Sequence, residues 1–277
     1  MSTASTLMMV ISDLDGTLLD SSNYSSSAAT AALDRLKNEG ACLVLASSKT
    51  RAELEPIRGR LGHEGPFIVE NGGALFIPAG LFRFSLDGAV SREGYEVIPF
   101  GTPYAVLRRV LKEIARGLGT EIKGFGDMPI EEVADLTGLT LHEAGLAKQR
   151  EYDEPFVLVN DTLFEVVCRE ATARGLTCTK GGRFYHLLGG SNKGTACRFL
   201  IECYRRQLES GSVRLCTIGI GDSANDLPLL AAVDQPILVQ RPDGSYDSSV
   251  QLPHLFYAPG IGPTGWNTAI LNVLGGH

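Results

Sequence analysis

The first 76 residues alternate short apolar runs with segments of helical character, and this alternation is the feature that most limits the possible fold. Apolar runs at 7–12, 41–48 and 67–70 have the length and composition of strands that are buried on both faces. The segments between them, 28–39 and 50–61, begin with residues that cap helices. This β-α-β-α-β order is typical of a doubly wound α/β fold, so we predict a parallel, Rossmann-like sheet core.

A second type of organisation interrupts this alternation. Residues 78–103 are rich in glycine and proline and have no clear period, which indicates a boundary. The predicted elements that follow are helices at 104–118, 130–137, 141–149 and 163–174 and strands at 155–159 and 184–188. The earlier alternation resumes at residue 193. We therefore predict a core domain formed by residues 1–84 and 190–277, with an α+β domain of residues 85–189 inserted into it.

The composition excludes several classes of protein. Acidic residues outnumber basic ones by 32 to 25, which gives a net charge of −7 and argues against nucleic acid as a partner. No apolar run reaches the ~20 residues that a membrane span needs, and the N-terminus lacks the basic residues of a signal peptide. The six cysteines show no C-x-x-C spacing, which is typical of free thiols in a reducing compartment. We expect a cytoplasmic protein that binds a small molecule, and neither a membrane nor nucleic acid.

Two aspartates follow the first predicted strand. In an extended segment Asp13 and Asp15 point to the same side, and open α/β sheets bind ligands at the carboxyl ends of their strands. Two carboxylates in this position repel each other unless a divalent cation such as Mg²⁺ lies between them, or one of them holds a proton and serves as an acid. A turn that merely caps a helix is the alternative interpretation.

A second acidic group follows the predicted strand at 213–220. Asp222, Asn225 and Asp226 can supply oxygen ligands for the other half of the same metal site. The surrounding residues also match the dinucleotide-binding pattern G-x-G-x-x-A. We reject that alternative because Asp222 lies where the pyrophosphate would bind, and about 50 residues are too few for a second nucleotide-binding half.

Hydroxyl and ammonium groups occupy two other predicted helix starts. Ser47, Ser48 and Lys49 follow the second strand, where they can bind a phosphate, although a plain helix cap is an equally good interpretation. Lys193 begins a later helix, but the order Lys-Gly-Thr differs from that of a P-loop, so ATP is not an expected ligand. A solvated surface lysine is the alternative there. Together the four groups supply acids for a metal ion and cations for an anion at one edge of the sheet.

These four groups, in this order, resemble the motifs of the haloacid dehalogenase-like hydrolase superfamily. They are Asp13-x-Asp15-x-Thr17, Ser47, Lys193 and Gly221-Asp222-x-x-Asn225-Asp226. The inserted domain is similar to the larger α/β cap of the sugar-phosphatase branch. Four further segments, at 47–50, 70–73, 150–154 and 181–186, resemble the mannosyl-3-phosphoglycerate phosphatase family, and the likeness covers nearly the whole chain.

The resemblance implies a role for each group in the core. Asp13 would be the nucleophile that takes the phosphoryl group, and Asp15 would protonate the leaving oxygen and then activate water. Asp13, Asp15 and Asp222 would bind Mg²⁺, with Asp226 orienting the site or binding the ion directly. The residues implied to contact the phosphoryl oxygens are Ser47, Ser48, Lys49, Asn71 and Lys193.

The resemblance also implies that the inserted domain binds the remainder of the substrate, a glycerate carboxylate and a sugar. The candidates are Arg150, Arg183 and His186, because a guanidinium group binds a carboxylate in a bidentate manner. Two alternatives stay open. The charged stretch 150–154 would be solvated in one, and His186 would be a core histidine in the other.

The resemblance thus implies a Mg²⁺-dependent phosphatase that hydrolyses mannosyl-3-phosphoglycerate, or a glucosyl relative, through an aspartyl-phosphate. The alternatives are a phosphosugar mutase, a broader sugar-phosphate phosphatase, and a sensor that binds sugar phosphates without turnover. A haloacid dehalogenase is disfavoured because Asp15 serves phosphoryl chemistry. The sequence leaves the sugar and the oligomeric state open.

Overall fold

The computed structural model describes residues 5–180, 184–209 and 211–275. Its N-terminal part confirms the predicted alternation of strands and helices. The elements are β1 (Ser5–Ser12), α1 (Thr30–Asn38), β2 (Cys42–Ala46), α2 (Arg51–Leu61) and β3 (Phe67–Val69). Helix α2 begins at a capping box, in which the Thr50 hydroxyl accepts the Glu53 backbone N–H and the Glu53 carboxylate accepts the Thr50 N–H.

Three antiparallel strands extend the sheet after β3. They are β4 (Ala74–Pro78), β5 (Val90–Arg92) and β6 (Tyr95–Pro99). The predicted domain boundary at residues 84 and 85 therefore falls too early, because residues 90–99 pair within the core sheet. Strand β5 is exposed along its whole length, so it lacks the apolar pattern that would have revealed it in the sequence.

The next part of the chain forms a separate antiparallel sheet with its own helices. Its elements are α3 (Tyr104–Leu118), β7 (Ile122–Gly124), α4 (Ile130–Thr137), α5 (Leu141–Ala147), β8 (Asp153–Leu158), α6 (Phe164–Thr172), β9 (Thr177–Lys180) and β10 (Tyr185–Leu188). The strand order is β7-β8-β10-β9. The prediction omitted β7, which has three residues, and β9, which is polar and largely exposed.

The chain then returns to the core sheet. It adds α7 (Lys193–Leu208), β11 (Val213–Gly221), α8 (Leu227–Leu230), β12 (Gln235–Gln240), β13 (Phe256–Ile261) and α9 (Pro263–Gly275). The complete strand order is β13-β12-β11-β1-β2-β3-β4-β6-β5, and the strands from β13 to β3 are parallel. This order confirms the α/β fold with a parallel sheet core. Because β1 lies between β2 and β11, the carboxyl ends of these strands meet at the centre of the sheet.

Helices cover both faces of the core sheet, as a doubly wound fold requires. Helix α7 packs Leu200 and its apolar neighbours against one face, and α9 packs Trp266 against the other. Trp266 is fully buried, and its indole N–H donates to Ser12 Oγ at 3.0 Å, so it anchors α9 beside β1. Across the described parts of the chain, every helix is too short or too polar to cross a lipid bilayer.

The loop after β3 packs directly against the start of α7. Gly72 has a φ of +93°, and a Cβ atom there would lie 2.2 Å from the carbonyl group of Asn192. Only glycine combines this conformation with so close an approach. The contact matters for the site because Asn192 caps α7, and Lys193 is the first residue of that helix.

We expect Gly72→Ala to lower the free energy of unfolding by more than about 3 kcal/mol, because a steric clash adds to the cost of a left-handed conformation. Gly80→Ala is the matched control. Its φ is +79° and no described atom beyond its chain neighbours lies within 4 Å of the added Cβ atom. The control should therefore cost only about 1–2 kcal/mol. Urea denaturation measures both losses, and equal values would contradict a tight contact at Asn192.

Candidate active site

The loop after β1 carries Asp13 and Asp15 to the centre of the sheet edge. The backbone N–H of Asp13 donates to the Ile220 carbonyl at 2.9 Å, which ties this loop to the end of β11. Gly16 has a φ of +77°, and a Cβ atom there would lie 3.0 Å from Asp222 Oδ2. A glycine therefore allows the loop to turn beside the second acidic group.

A buried lysine joins the two acidic groups. Lys193 Nζ lies 2.6 Å from Asp13 Oδ1 and 2.7 Å from Asp226 Oδ1, and the lysine side chain is fully buried. Burial disfavours the ammonium form, but the carboxylates of Asp13 and Asp226 outweigh that effect and raise the pKa of Lys193. Lys193 is thus a fixed positive charge beside the predicted nucleophile.

Three carboxylates converge next to this lysine. One oxygen from each of Asp13, Asp222 and Asp226 lies within 4.8 Å of the others. Burial and the charge of Asp226 raise the pKa of Asp222 to about 6 and hold the pKa of Asp13 well above its usual range. A single ammonium group does not balance three carboxylates, and oxygen ligands suit hard cations, so this donor set fits Mg²⁺.

Asp15 lies apart from this cluster. Its Oδ2 atom is 2.8 Å from Lys49 Nζ. Burial disfavours the charge of Lys49, but the carboxylates of Asp15 and Glu53 more than compensate and raise the pKa of the lysine. Asp15 Oδ1 is buried and has no hydrogen-bond partner among the described residues. Asp15 is not one of the three residues whose oxygens converge, so its binding of the metal stays a prediction, as does its role in proton transfer.

The loop after β2 is tied to the loop after β3. Ser47 is buried, its Oγ accepts the Lys49 backbone N–H at 3.1 Å, and its carbonyl accepts the Asn71 N–H at 3.0 Å. Asn71 has a φ of +57°, and its buried Oδ1 lacks a partner in the described chain. Ser47 therefore holds the loop in place, while Ser48, Lys49 and Asn71 contribute to a cavity wall.

This cavity, of about 610 Å³, lies between the core sheet and the inserted sheet. Its core side carries polar groups from the loops described above, and its other side carries both apolar and charged side chains. The lining includes Asp13, Asp15, Ser48, Lys49, Asn71 and Asp222 from the core, and Phe125, Arg150, Pro155, Lys180, Phe184 and His186 from the insertion. Ser47 and Lys193 are buried and are not among the residues that line it.

Arg150 reaches this cavity with its guanidinium group already engaged. The group donates to Asp153 Oδ2 at 2.9 Å and to the Ser48 carbonyl at 2.8 Å. Both Arg150 and Asp153 are buried, so the interpretation of their charged stretch as solvated is wrong. Arg150 therefore links the insertion to the core, whatever it contributes to ligand binding. Arg183 lies outside the described residues.

Two buried acidic residues that the sequence did not single out join the inserted sheet to the core. The Glu70 carboxylate accepts the backbone N–H groups of Glu151 at 2.9 Å and of Tyr152 at 2.8 Å. Burial raises the pKa of Glu70 to about 7. Asp153 Oδ2 lies 3.4 Å from Asn71 Nδ2 of the core and 2.8 Å from His186 Nδ1. His186 lines the cavity and its side chain is 13% exposed, so it is not enclosed in the core. Both acidic residues lie in motifs of the resemblance, but a motif does not reveal burial.

Comparison with known proteins agrees with this arrangement. A profile of the haloacid dehalogenase-like hydrolase family matches residues 10–79. A glucosyl-3-phosphoglycerate/mannosyl-3-phosphoglycerate phosphatase from Methanococcoides burtonii is 48% identical over 96% of this chain and 97% of its own. This chain belongs to the mannosyl-3-phosphoglycerate phosphatase family. A protein from Persephonella marina with the same name is 41% identical to this chain, over 96% of this chain and 97% of its own.

The fold of the phosphatase also matches a distant relative. A phosphatase of the haloalkanoate superfamily from Bacteroides thetaiotaomicron superposes with a TM-score of 0.68 over 99% of this chain and 97% of that chain. The two sequences are 17% identical, so the likeness concerns the fold alone. The family profile and the identity to the two relatives confirm the predicted superfamily and family.

We expect Lys193→Met to lower the free energy of unfolding of the metal-free phosphatase by about 3–5 kcal/mol at pH 8, because the variant leaves buried carboxylates without a cation. The loss should shrink at pH 5, since protonation of the carboxylates then relieves their repulsion. Urea denaturation at the two pH values measures both effects.

Lys123→Met is the matched control for this substitution. Lys123 pairs with Glu132 at 2.6 Å, but both side chains are about one-third exposed. Solvent screens such a pair, so its loss should cost less than about 1 kcal/mol at either pH. A Lys193 variant as stable as this control would contradict the role of Lys193 as the cation that permits the buried acidic cluster.

Proposed function

We propose that the phosphatase hydrolyses mannosyl-3-phosphoglycerate and glucosyl-3-phosphoglycerate to the glycosylglycerate and inorganic phosphate. The observation that carries this proposal is the 48% identity to a relative of that name, because it extends over 96% of this chain and thus includes the insertion as well as the core. A cavity lined by Asp13 from the core and by Arg150 and His186 from the insertion has room for both a phosphate and a glycosyl group.

We propose a reaction in two steps. In the first, an Asp13 carboxylate oxygen attacks phosphorus, the bond from phosphorus to the ester oxygen breaks, and Asp15 gives that oxygen a proton. In the second, Asp15 takes a proton from water, the water oxygen attacks phosphorus, and the bond to Asp13 breaks. Inorganic phosphate leaves and both aspartates return to their initial states. A covalent intermediate replaces one difficult step with two easier ones.

The surrounding residues support this assignment of roles. A phosphate dianion repels an attacking carboxylate, so the reaction needs positive charge close to Asp13. Lys193 supplies such a charge at 2.6 Å from the carboxylate. Lys49 is 2.8 Å from Asp15 and lines the cavity, where it can bind a phosphoryl oxygen, and the Ser48 and Asn71 side chains lie along the same wall.

The residues that would hold Mg²⁺ are Asp13, Asp222 and Asp226. When bound there, the ion would neutralise charge that develops on the phosphoryl oxygens. Asp226 also has a structural task, because its Oδ2 accepts the backbone N–H of Asp222 at 3.1 Å. Asp226 therefore sets the position of Asp222 within the acidic cluster.

We also propose that the inserted sheet and its helices, from α3 to β10, act as the cap that binds the glycosyl and glycerate parts. Its polar contacts to the core, through Glu70 and Arg150, keep it above the acidic cluster. A cap in this position excludes water from the phosphate, which strengthens the electrostatic interactions of Lys193 and the carboxylates.

We expect Asp13→Asn to lower the rate of phosphate release from mannosyl-3-phosphoglycerate at least about a thousandfold, because an amide cannot act as the nucleophile. Asp20→Asn is the control, since Asp20 is on the same loop but its half-buried carboxylate accepts a hydrogen bond from Ser22 Oγ and is not among the groups that line the cavity. It should keep the wild-type rate within about twofold. A malachite-green assay measures the rates. Release by the Asp13 variant at the wild-type rate would contradict the role of Asp13 as nucleophile. If the wild type released no phosphate from either glycosyl substrate, the proposed substrate would be wrong.

We expect removal of divalent cations with EDTA to abolish phosphate release and added Mg²⁺ to restore it. Asp222→Asn should raise the Mg²⁺ concentration for half-maximal activity by about tenfold or more, because a charged ligand is lost. Asp243→Asn, in an exposed position after β12, should leave that concentration unchanged. Full activity in EDTA would contradict the role of the acidic cluster in binding the ion.

A further inference from the structure

Asp153 stands out among the residues between core and insertion, because one fully buried carboxylate serves three donors. Its Oδ2 atom lies 2.8 Å from His186 Nδ1, 2.9 Å from a guanidinium nitrogen of Arg150 and 3.4 Å from Asn71 Nδ2. Asn71 lies in the core loop after β3, and Arg150 is tied to the core because it also donates to the Ser48 carbonyl. His186 lies on the insertion, in β10. One carboxylate thus joins groups from both parts of the site.

The Asp153 carboxylate is charged in this position. Burial alone would raise the pKa of Asp153, but His186 and Arg150 outweigh burial and lower it. A carboxylate accepts hydrogen bonds and does not donate them, so the His186 Nδ1 atom must carry the proton. In the neutral form of the ring, Nε2 is then unprotonated and is an acceptor. Its carboxylate partner thereby selects the tautomer of the ring.

The side chains around His186 indicate which kind of substrate group the Nε2 atom would bind. The ring lines the cavity and is only 13% exposed. Phe125, Pro155 and Phe184 line the same part of the cavity, and the rings of Phe125 and Phe184 pack edge to face with centroids 4.9 Å apart. Thr179, which is opposite His186 in the sheet, and Lys180 also line the cavity. Apolar surface beside an acceptor suits a sugar ring, which offers apolar C–H faces and hydroxyl donors. It suits a carboxylate poorly, since a carboxylate would repel an acceptor.

We propose that Asp153 is a positioning residue that holds His186 with Nε2 facing the cavity, where it accepts a hydrogen bond from a hydroxyl group of the substrate's sugar ring. This inference rests on the proposed function, which it extends to the recognition of the sugar. Asp153 itself does not touch the substrate. It acts through His186, and its contacts to Arg150 and Asn71 set the distance between the sugar and phosphate ends of the site.

The first experiment compares two substrates that differ only by the sugar. We expect Asp153→Asn to lower kcat/KM for mannosyl-3-phosphoglycerate about tenfold, mainly through KM, because the substituted amide no longer selects the tautomer. Hydrolysis of 3-phosphoglycerate, which lacks the sugar, should stay within about twofold of the wild-type rate. Equal losses with the two substrates would overturn the proposal, because they would indicate a general structural role.

A second variant decides the question even where Asp153→Asn does not fold. In His186→Asn the amide NH₂ can take the place of Nδ1 and keep the bond to Asp153, while no atom takes the place of Nε2. We expect this variant to unfold at the wild-type temperature and to lose about tenfold in kcat/KM for the glycosyl substrate alone. An equal loss with 3-phosphoglycerate, or no loss with the glycosyl substrate, would overturn the proposal.

Side-chain ¹⁵N NMR tests the tautomer without any activity. The chain has five histidines, and the His186 signals are those absent from His186→Asn. At a pH above the titration of the ring, we expect the wild type to show a protonated Nδ1 and an unprotonated Nε2. Protonation at Nε2 in the wild type would overturn the proposal. Because this readout needs no substrate, it separates a failure of this inference from a failure of the proposed function, in which the wild type would release no phosphate from glycosyl substrates.

Discussion

The carboxylates of Asp13, Asp222 and Asp226 repel one another, and Lys193 is the cation that allows Asp13 and Asp226 to be buried beside the half-buried Asp222. Removal of charges from water is costly, and a buried ion pair compensates for that cost only when its geometry is good. The ammonium nitrogen meets this requirement, with separations of 2.6 Å from Asp13 Oδ1 and 2.7 Å from Asp226 Oδ1. The raised pKa values of Asp13 and Asp222 show that repulsion and burial still dominate at the cluster.

The rest of the core can be understood as the support of this cluster. Asp13 and Asp222 follow adjacent parallel strands, and Lys193 starts a helix that packs on one face of the same sheet. Strands and packed helices hold side chains more rigidly than loops do, and catalysis by fixed charges requires such rigidity. The insertion is attached differently. Near the site, buried polar groups, chiefly Glu70 and Arg150, bind it to the core, and Tyr152 packs against the apolar cluster of the core.

The core was more predictable than the junction with the insertion. Buried parallel strands have continuous apolar runs and helix caps have characteristic residues, so β1, β2, β3 and the helices between them were readable from the sequence. Strand β5 was not, because an exposed strand of three residues carries no apolar pattern. The charged stretch from Arg150 onwards had two interpretations for a different reason. Charge alone does not show whether a side chain is solvated or pairs with a partner far along the chain.

The sequence by itself determined the fold class, the family and the four groups of residues that form the core site, because these depend on local patterns and on the order of motifs. Only the tertiary structure decided how those groups pair. It turned Asp15 towards Lys49 and away from the acidic cluster, and it placed Asp153 between Arg150 and His186. The physical reason is that side-chain pairing depends on distances of a few ångströms between residues remote in sequence, which a linear pattern does not contain.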